Sequence, residues 1–143
     1  MIAALLAATR LCGAITATWP DVEPRLACEA ALAIEHARGG WSPTIVAAIA
    51  YHESRFDAGA VDVATGACGQ MQTVWFSDRA RQDRRCARSQ RRGTGYRDGV
   101  RKLDQAVADC DRVLKIDPGR AGVNALRGRC HAARGDTPAA LAD

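Results

Sequence analysis

Aromatic side chains are scarce: three Trp, two Tyr and two Phe stand in 143 residues. With Ala, Arg and Gly abundant, this composition points to a helical protein. No C-x-x-C pair occurs among Cys12, Cys28, Cys68, Cys86, Cys110 and Cys130, which argues against a zinc ribbon or a thioredoxin-type dithiol. Histidine is equally sparse, and His36 and His131 lack ligand spacing. His52-Glu53 opens like H-E-x-x-H, but Phe56 occupies the second His position, so a zincin is excluded. No metal and no cofactor is expected. Neither a Gly-rich phosphate loop nor a Ser-His-Asp arrangement is visible. No apolar run approaches the ~20 residues of a membrane-spanning helix.

The length suits one domain with a single hydrophobic core. Six cysteines in so small a chain exceed what a reduced cytosolic protein usually carries, so at least one disulfide and an exported, periplasmic or extracellular setting are expected. The alternative is a set of buried single thiols acting as small apolar groups. Residues 1–19, apolar but broken by Arg10 and with no basic residue ahead, read as a degenerate signal or signal-anchor segment, with membrane association through it. The competing reading is a first core helix. Residues 20–143 form the domain proper.

Helices are expected over 21–38, with Asp21 as cap, Pro24 in the first turn and Gly39-Gly40 as stop, and from Ser42-Pro43 through Phe56. Leu26, Ala30 and Ile34 mark the buried face of the first. Residues 60–74 are too Gly-rich for a helix and read as a small hairpin or irregular loop. Residues 77–95 are polar and Arg-rich without an apolar period, a solvated loop or short exposed helix. Helix returns over 97–116 on the stripe Val100, Leu103, Val107, Cys110 and Leu114, and stops at Asp117-Pro118-Gly119. Another helix covers 121–134, and a short helical tail is expected at 138–142. Cys110 and Cys130 flank the turn of this last hairpin and are the first pairing expected; Cys68 with Cys86 is the next.

The chemistry-bearing stretch is residues 53–72, ESRFDAGAVDVATGACGQMQ. Glu53, Ser54 and Phe56, followed by Gly66, Ala67, Gly69, Met71 and Gln72, resemble the E-S-x-F and G-A-x-G-L-M-Q motifs of the soluble lytic transglycosylases and goose-type lysozymes. Gln70 stands where that family usually has an apolar residue. The resemblance covers roughly residues 40–130. It implies a mainly α, lysozyme-like α+β domain with a short hairpin or loop beside the active-site helix. It also implies cleavage of the β-1,4 bond between N-acetylmuramic acid and N-acetylglucosamine in peptidoglycan glycan strands. One Glu serves as acid and then base while the sugar's own 6-hydroxyl closes a 1,6-anhydro ring. The alternatives are a hydrolysing goose-type lysozyme and a non-catalytic wall-binding or tetratricopeptide-like module. The last is suggested by the L-x-I-D-P turn at residues 114–118.

Glu53 is the candidate acid. Ile45 and Ile49 precede it at eight and four positions, so its carboxyl is expected to extend an apolar stripe, where desolvation favours the protonated acid. The plain alternative is a surface Glu at a helix end. The family resemblance makes Ser54, Gly69, Met71 and Gln72 candidate substrate contacts. Each has a scaffold alternative: Ser54 bonding its own backbone, Gly69 making a turn, Met71 filling core and Gln72 ordering the hairpin. Asp62, in the presumed hairpin, is the candidate second carboxylate, whereas Asp57 reads as a turn residue. The family often places a Tyr near its C-terminal helix, aimed at the catalytic Glu. Here Arg127-Gly128-Arg129-Cys130 follows Leu126, and Tyr51 and Tyr96 are the candidates to replace it. The formal net charge of +4 suits an anionic wall polymer. No nucleic acid is expected, because the Arg-rich stretch from Arg79 to Arg97 lacks interleaved aromatics.

Overall fold

A computed structural model describes residues 2–135, with the backbone alone at Arg92. Among these residues the fold is mainly α. Six helices follow in order: α1 Ile2–Thr18, α2 Pro24–Ala37, α3 Pro43–Ser54, α4 Arg79–Arg92, α5 Gly95–Ile116 and α6 Ala121–Arg134. The tail expected at 138–142 lies outside the described residues. The only β pairing among them is two isolated antiparallel bridges, Val61 to Cys68 and Cys68 to Thr73. The expected hairpin is therefore a compact loop held at two points.

Residues 2–18 form the first core helix. Ala8, Leu11 and Ile15 are buried on one face of α1, and Cys12 is bonded to Cys28 on α2. No described helix is long and apolar enough to cross a membrane. α2 meets α1 and α3 with Ala27, Ala30, Ala31 and Ile34, a face of small side chains that lets helix axes approach closely. Pro24 sits in its first turn, where a missing N–H costs nothing. Asp21 does not cap this helix; its carboxylate accepts a hydrogen bond from the Tyr51 hydroxyl instead (3.1 Å).

The core runs from Leu11 and Ile15 through Ile34, Trp41, Val46 and Phe56 to Met71, Tyr96, Val100 and Val107. α5, the longest helix, touches α2, α3, α4 and α6. Its buried residues include Val100, Val107, Cys110 and Leu114, as its apolar period predicts. Trp41 anchors the α2–α3 junction to it, donating from Nε1 to Asp104 (2.9 Å). α6 folds back along α5 after the turn at Asp117-Pro118-Gly119, and Arg127 pairs there with Asp111 (3.1 Å).

The cysteines pair differently from the first expectation. Cys68–Cys86 forms, and so does Cys12–Cys28, while Cys110 and Cys130 are free. Cys110 precedes the α5–α6 turn by fewer residues than Cys130 follows it, so the two sit at mismatched heights on their helices. Burial, with Cys110 nearby, pushes the Cys130 thiol above its ordinary value.

Of the two expectations for the Arg-rich stretch, solvated loop or short exposed helix, the helix is the one formed, with one face buried. Asp78 caps α4 by accepting from the Arg81 N–H (2.7 Å), and Gly93 closes it in the left-handed conformation. Its inward stripe is Gln82, Cys86 and Ser89, all buried. Spacing of four and three residues puts them on one face, but none is a conventional core residue, so a search for apolar periodicity passes over them.

Candidate functional site

Helix α3 delivers Glu53 and Ser54 on its last turn. The helix buries Val46, Ala47 and Ala50, while Ile45 is 36% exposed. The inward stripe is therefore Val46–Ala50–Ser54, one position on from the expected Ile45–Ile49–Glu53. Ser54 faces in, and Glu53 lies on the exposed flank. The apolar surroundings expected for the Glu53 carboxyl are absent.

Immediately after Ser54 the chain turns sharply. Arg55 and Phe56 both have positive φ (53° and 69°), an uncommon conformation for residues with a Cβ. Phe56 is driven into the core (1% exposed) and packs edge-on against Trp19. Burial of so large a ring contributes about 2–3 kcal/mol and offsets the backbone strain of about 1–3 kcal/mol per residue only in part. Arg55 caps the helix by donating its N–H to Tyr51 O (2.8 Å).

The loop of residues 60–76 is fixed from three sides. From α3, the Ser54 hydroxyl donates its one hydrogen to Gln70 O (2.8 Å), with its own helix at Ala50 O (3.2 Å) the longer alternative acceptor. From α4, the buried Gln82 amide donates to Gly66 O (3.0 Å) and Thr73 O (2.9 Å) and accepts from the N–H groups of Trp75 and Phe76. One turn further along α4, Cys86 is bonded to Cys68. From α5, Gly95 and Gly99 present bare backbone to the loop. A Cβ at Gly99 would meet Met71 Sδ at 2.2 Å, and one at Gly95 would meet the Gln70 side chain at 1.9 Å. Gln70 fits at its unusual position because it is buried against this glycine.

Each candidate residue can now be placed. Glu53 and Ser54 line a shallow concavity of about 330 Å³ with Tyr51, His52 and Arg55. Gly69, Met71, Gln72 and Asp62 do not line it. Gly69 is buried at φ 76° and donates to Ala60 O (2.9 Å). Met71 is core. Gln72 has φ 42° and donates from its side chain to Ala60 O and Gly69 O, so it orders the loop. Asp62 is turned on its own loop, accepting from the Ala64 N–H (2.8 Å) and the Thr65 hydroxyl (2.8 Å). The Thr65 bond, followed by the Ala64 bond, holds its carboxyl below the usual carboxylate range. Asp57 accepts from Gly59 N–H as a turn residue.

Of the two candidate tyrosines, Tyr96 is buried in the core, and burial pushes its phenol well up. Tyr51 is the one beside Glu53. It stacks on Trp19 (4.6 Å between ring centroids), and burial followed by the Asp21 bond raises its phenol. Among the described residues no cluster of His, Cys, Asp or Glu could hold a metal ion.

A larger concavity lies elsewhere. It has about 600 Å³ and is lined by Trp75, Phe76 and arginines of α4 and α5. Here the aromatics missing from the Arg-rich stretch in sequence return in space, supplied by the end of the loop. Comparison with protein-family models, curated proteins and solved structures gives no match.

Proposed function

We propose that the chain is a peptidoglycan lytic transglycosylase with Glu53 as its catalytic acid and base. The observation that carries this reading is the Ser54 bond to Gln70 O (2.8 Å), which ties the Glu-Ser end of α3 directly to the G-A-C-G-Q-M-Q loop. The two halves of the motif, distant in sequence, thus act as one unit. On this reading a glycan strand lies across Tyr51, His52 and Glu53. Covering Glu53 in this way would withdraw its carboxyl from water and favour the protonated acid. Glu53 then gives its proton to the glycosidic oxygen, and the bond from that oxygen to C1 of the muramic sugar breaks. The resulting carboxylate takes the proton of the 6-hydroxyl as that oxygen bonds to C1, closing the 1,6-anhydro ring. Tyr51, stacked on Trp19, is the neighbour best placed to meet the sugar. Gly69, Met71 and Gln72 act as scaffold rather than contacts, and Ser54 both lines the concavity and ties it to the loop.

A second reading is favoured by the exposure of Glu53 and the shallowness of its concavity: a wall-binding module without catalysis. Digestion of purified peptidoglycan followed by mass spectrometry separates the readings. Anhydro-muropeptides mark a transglycosylase. Products heavier by one water mark a lysozyme. Sedimentation with sacculi and no products marks a binding module.

A further inference from the structure

The large concavity beside α4 has a charge pattern of its own. It shares no lining residue with the Glu53 concavity. Arg81, Arg84, Arg85, Arg88 and Arg101 line it, and the carboxylates of that region are spent elsewhere. Asp78 caps α4. Asp83 pairs with Arg79 (2.9 Å). Asp98, 1% exposed, takes Arg85 and the Ser89 hydroxyl (2.7 Å). Arg81, Arg84, Arg88 and Arg101 are left without a carboxylate partner among the described residues. These four positive charges stand together around one hollow of a chain whose formal net charge is +4.

Such an array works against its own helix. Arg81 with Arg85 and Arg84 with Arg88 are like charges four residues apart, each pair costing a few tenths of a kcal/mol. The aromatic rings act as supports. The Arg81 guanidinium lies 4.4 Å from the Phe76 ring centroid, and Lys102 Nζ and the Arg85 guanidinium lie 4.3 and 5.2 Å from that of Trp75. With cations over both rings, these aromatics hold charge in place and do not offer open faces for stacked bases. The loop that carries them is pinned by Gln82. A smaller hollow adjoins, sharing Arg85, Arg88 and Arg101 and adding Arg97, Thr94, Ser89 and the Asp98 carboxylate already paired with Arg85. The result is a set of planar, permanently charged forks lining one open concavity, the chemistry that recognises phosphate oxygens. A single carboxylate would leave most of the charge unmet.

We propose that this hollow is a polyanion site for a ligand carrying two or more phosphate groups, as a diphosphate does. The phosphates can belong to a soluble molecule or to a lipid headgroup.

The test is calorimetric titration of the full, disulfide-intact chain with inorganic pyrophosphate, with sulfate at matched ionic strength as reference. Pyrophosphate should bind more tightly than sulfate. The variant Arg84→Ser/Arg88→Ser, altered at exposed positions of α4, should weaken it about tenfold or more. The control Arg10→Ser/Lys115→Ser, which removes two exposed charges elsewhere, should change it less than about twofold. Arg84→Lys/Arg88→Lys keeps the charge and should still weaken binding through loss of the forks. Vesicles of phosphatidylcholine with phosphatidylinositol 4,5-bisphosphate, whose headgroup carries more than one phosphate group, locate the source. Binding that pyrophosphate competes away points to a headgroup, pyrophosphate binding without vesicle binding points to a soluble ligand, and both sustain the proposal. Equal weakening by the α4 variant and the control would overturn it in favour of a diffuse field. So would sulfate binding as tightly as pyrophosphate, or a single-stranded oligonucleotide binding more tightly than pyrophosphate and losing affinity on Trp75→Ala.

Discussion

Replacing Gln82 by Met should destabilise the protein far more than its polar, helix-borne position suggests. The side chain is 1% exposed and serves four backbone groups of the loop that carries Gly66–Gln72. Methionine fills nearly the same volume, so the change removes hydrogen bonds and leaves little cavity. The N–H groups of Trp75 and Phe76 belong to half-buried residues and can recover water. Gly66 O and Thr73 O belong to buried residues, and Thr73 O keeps only a long bond from Cys68 N–H (3.4 Å). Stranding a buried acceptor costs about 1–3 kcal/mol, so the two carbonyls together cost about 2–5 kcal/mol. For a chain of this length each kcal/mol moves the midpoint by about 3–4 °C, which gives a fall of about 6–20 °C. Thermal unfolding followed by circular dichroism, with the disulfides intact, measures it. A fall below about 2 °C would refute the view that Gln82 clamps the loop, since it would mean that water replaces all four bonds at little cost.

Gly99→Ala should cost about 1–3 kcal/mol by overpacking against Met71; equal midpoints for Gly99→Ala and wild type would contradict the close approach. Peptide mapping without reduction should find Cys12–Cys28 and Cys68–Cys86 linked and Cys110 and Cys130 alkylated, and replacing both Cys68 and Cys86 by Ala should cost about 3 kcal/mol. Asp62 should contribute to acid sensitivity. Its folded-state proton affinity is lowered, first by Thr65, so its contribution is present above the unfolded carboxyl value and is lost as pH falls through the lower folded one. Thr65→Ala should therefore flatten the loss of midpoint temperature between about pH 5 and about pH 2, and an unchanged slope would count against that role.

How much of this could be read from the sequence depends on what each helix buries. α5 was legible because Val100, Val107, Cys110 and Leu114 form an apolar stripe of the ordinary kind. α6 and the Pro-started helices were legible from their turn residues. α4 was not, because it turns Gln82, Cys86 and Ser89 inward, and a polar amide and a disulfide sulfur give no hydrophobic period. α3 misled by one position. Its isoleucines looked like the inward face, yet the tight contact with its neighbours is made by Val46, Ala47 and Ala50, which swings Glu53 outward and Ser54 inward. The pairing of Ser54 with Gln70 O, the Gly95 and Gly99 seats, and the meeting of Trp75 with α4 all depend on chain reversals that spacing alone does not determine. The motif itself was visible as residues, and its two halves are joined in the fold.

The proposed role of Glu53 in glycan cleavage can be checked by mass spectrometry of purified peptidoglycan incubated with the wild type and with Glu53→Gln. Exposure of Glu53 means that the substitution should leave helicity and the unfolding midpoint unchanged, so any loss of product reports on the reaction. The wild type should release 1,6-anhydro-muropeptides, and the variant should form them about 10²–10⁴-fold more slowly. Equal product from both proteins, or none from the wild type, would contradict that role.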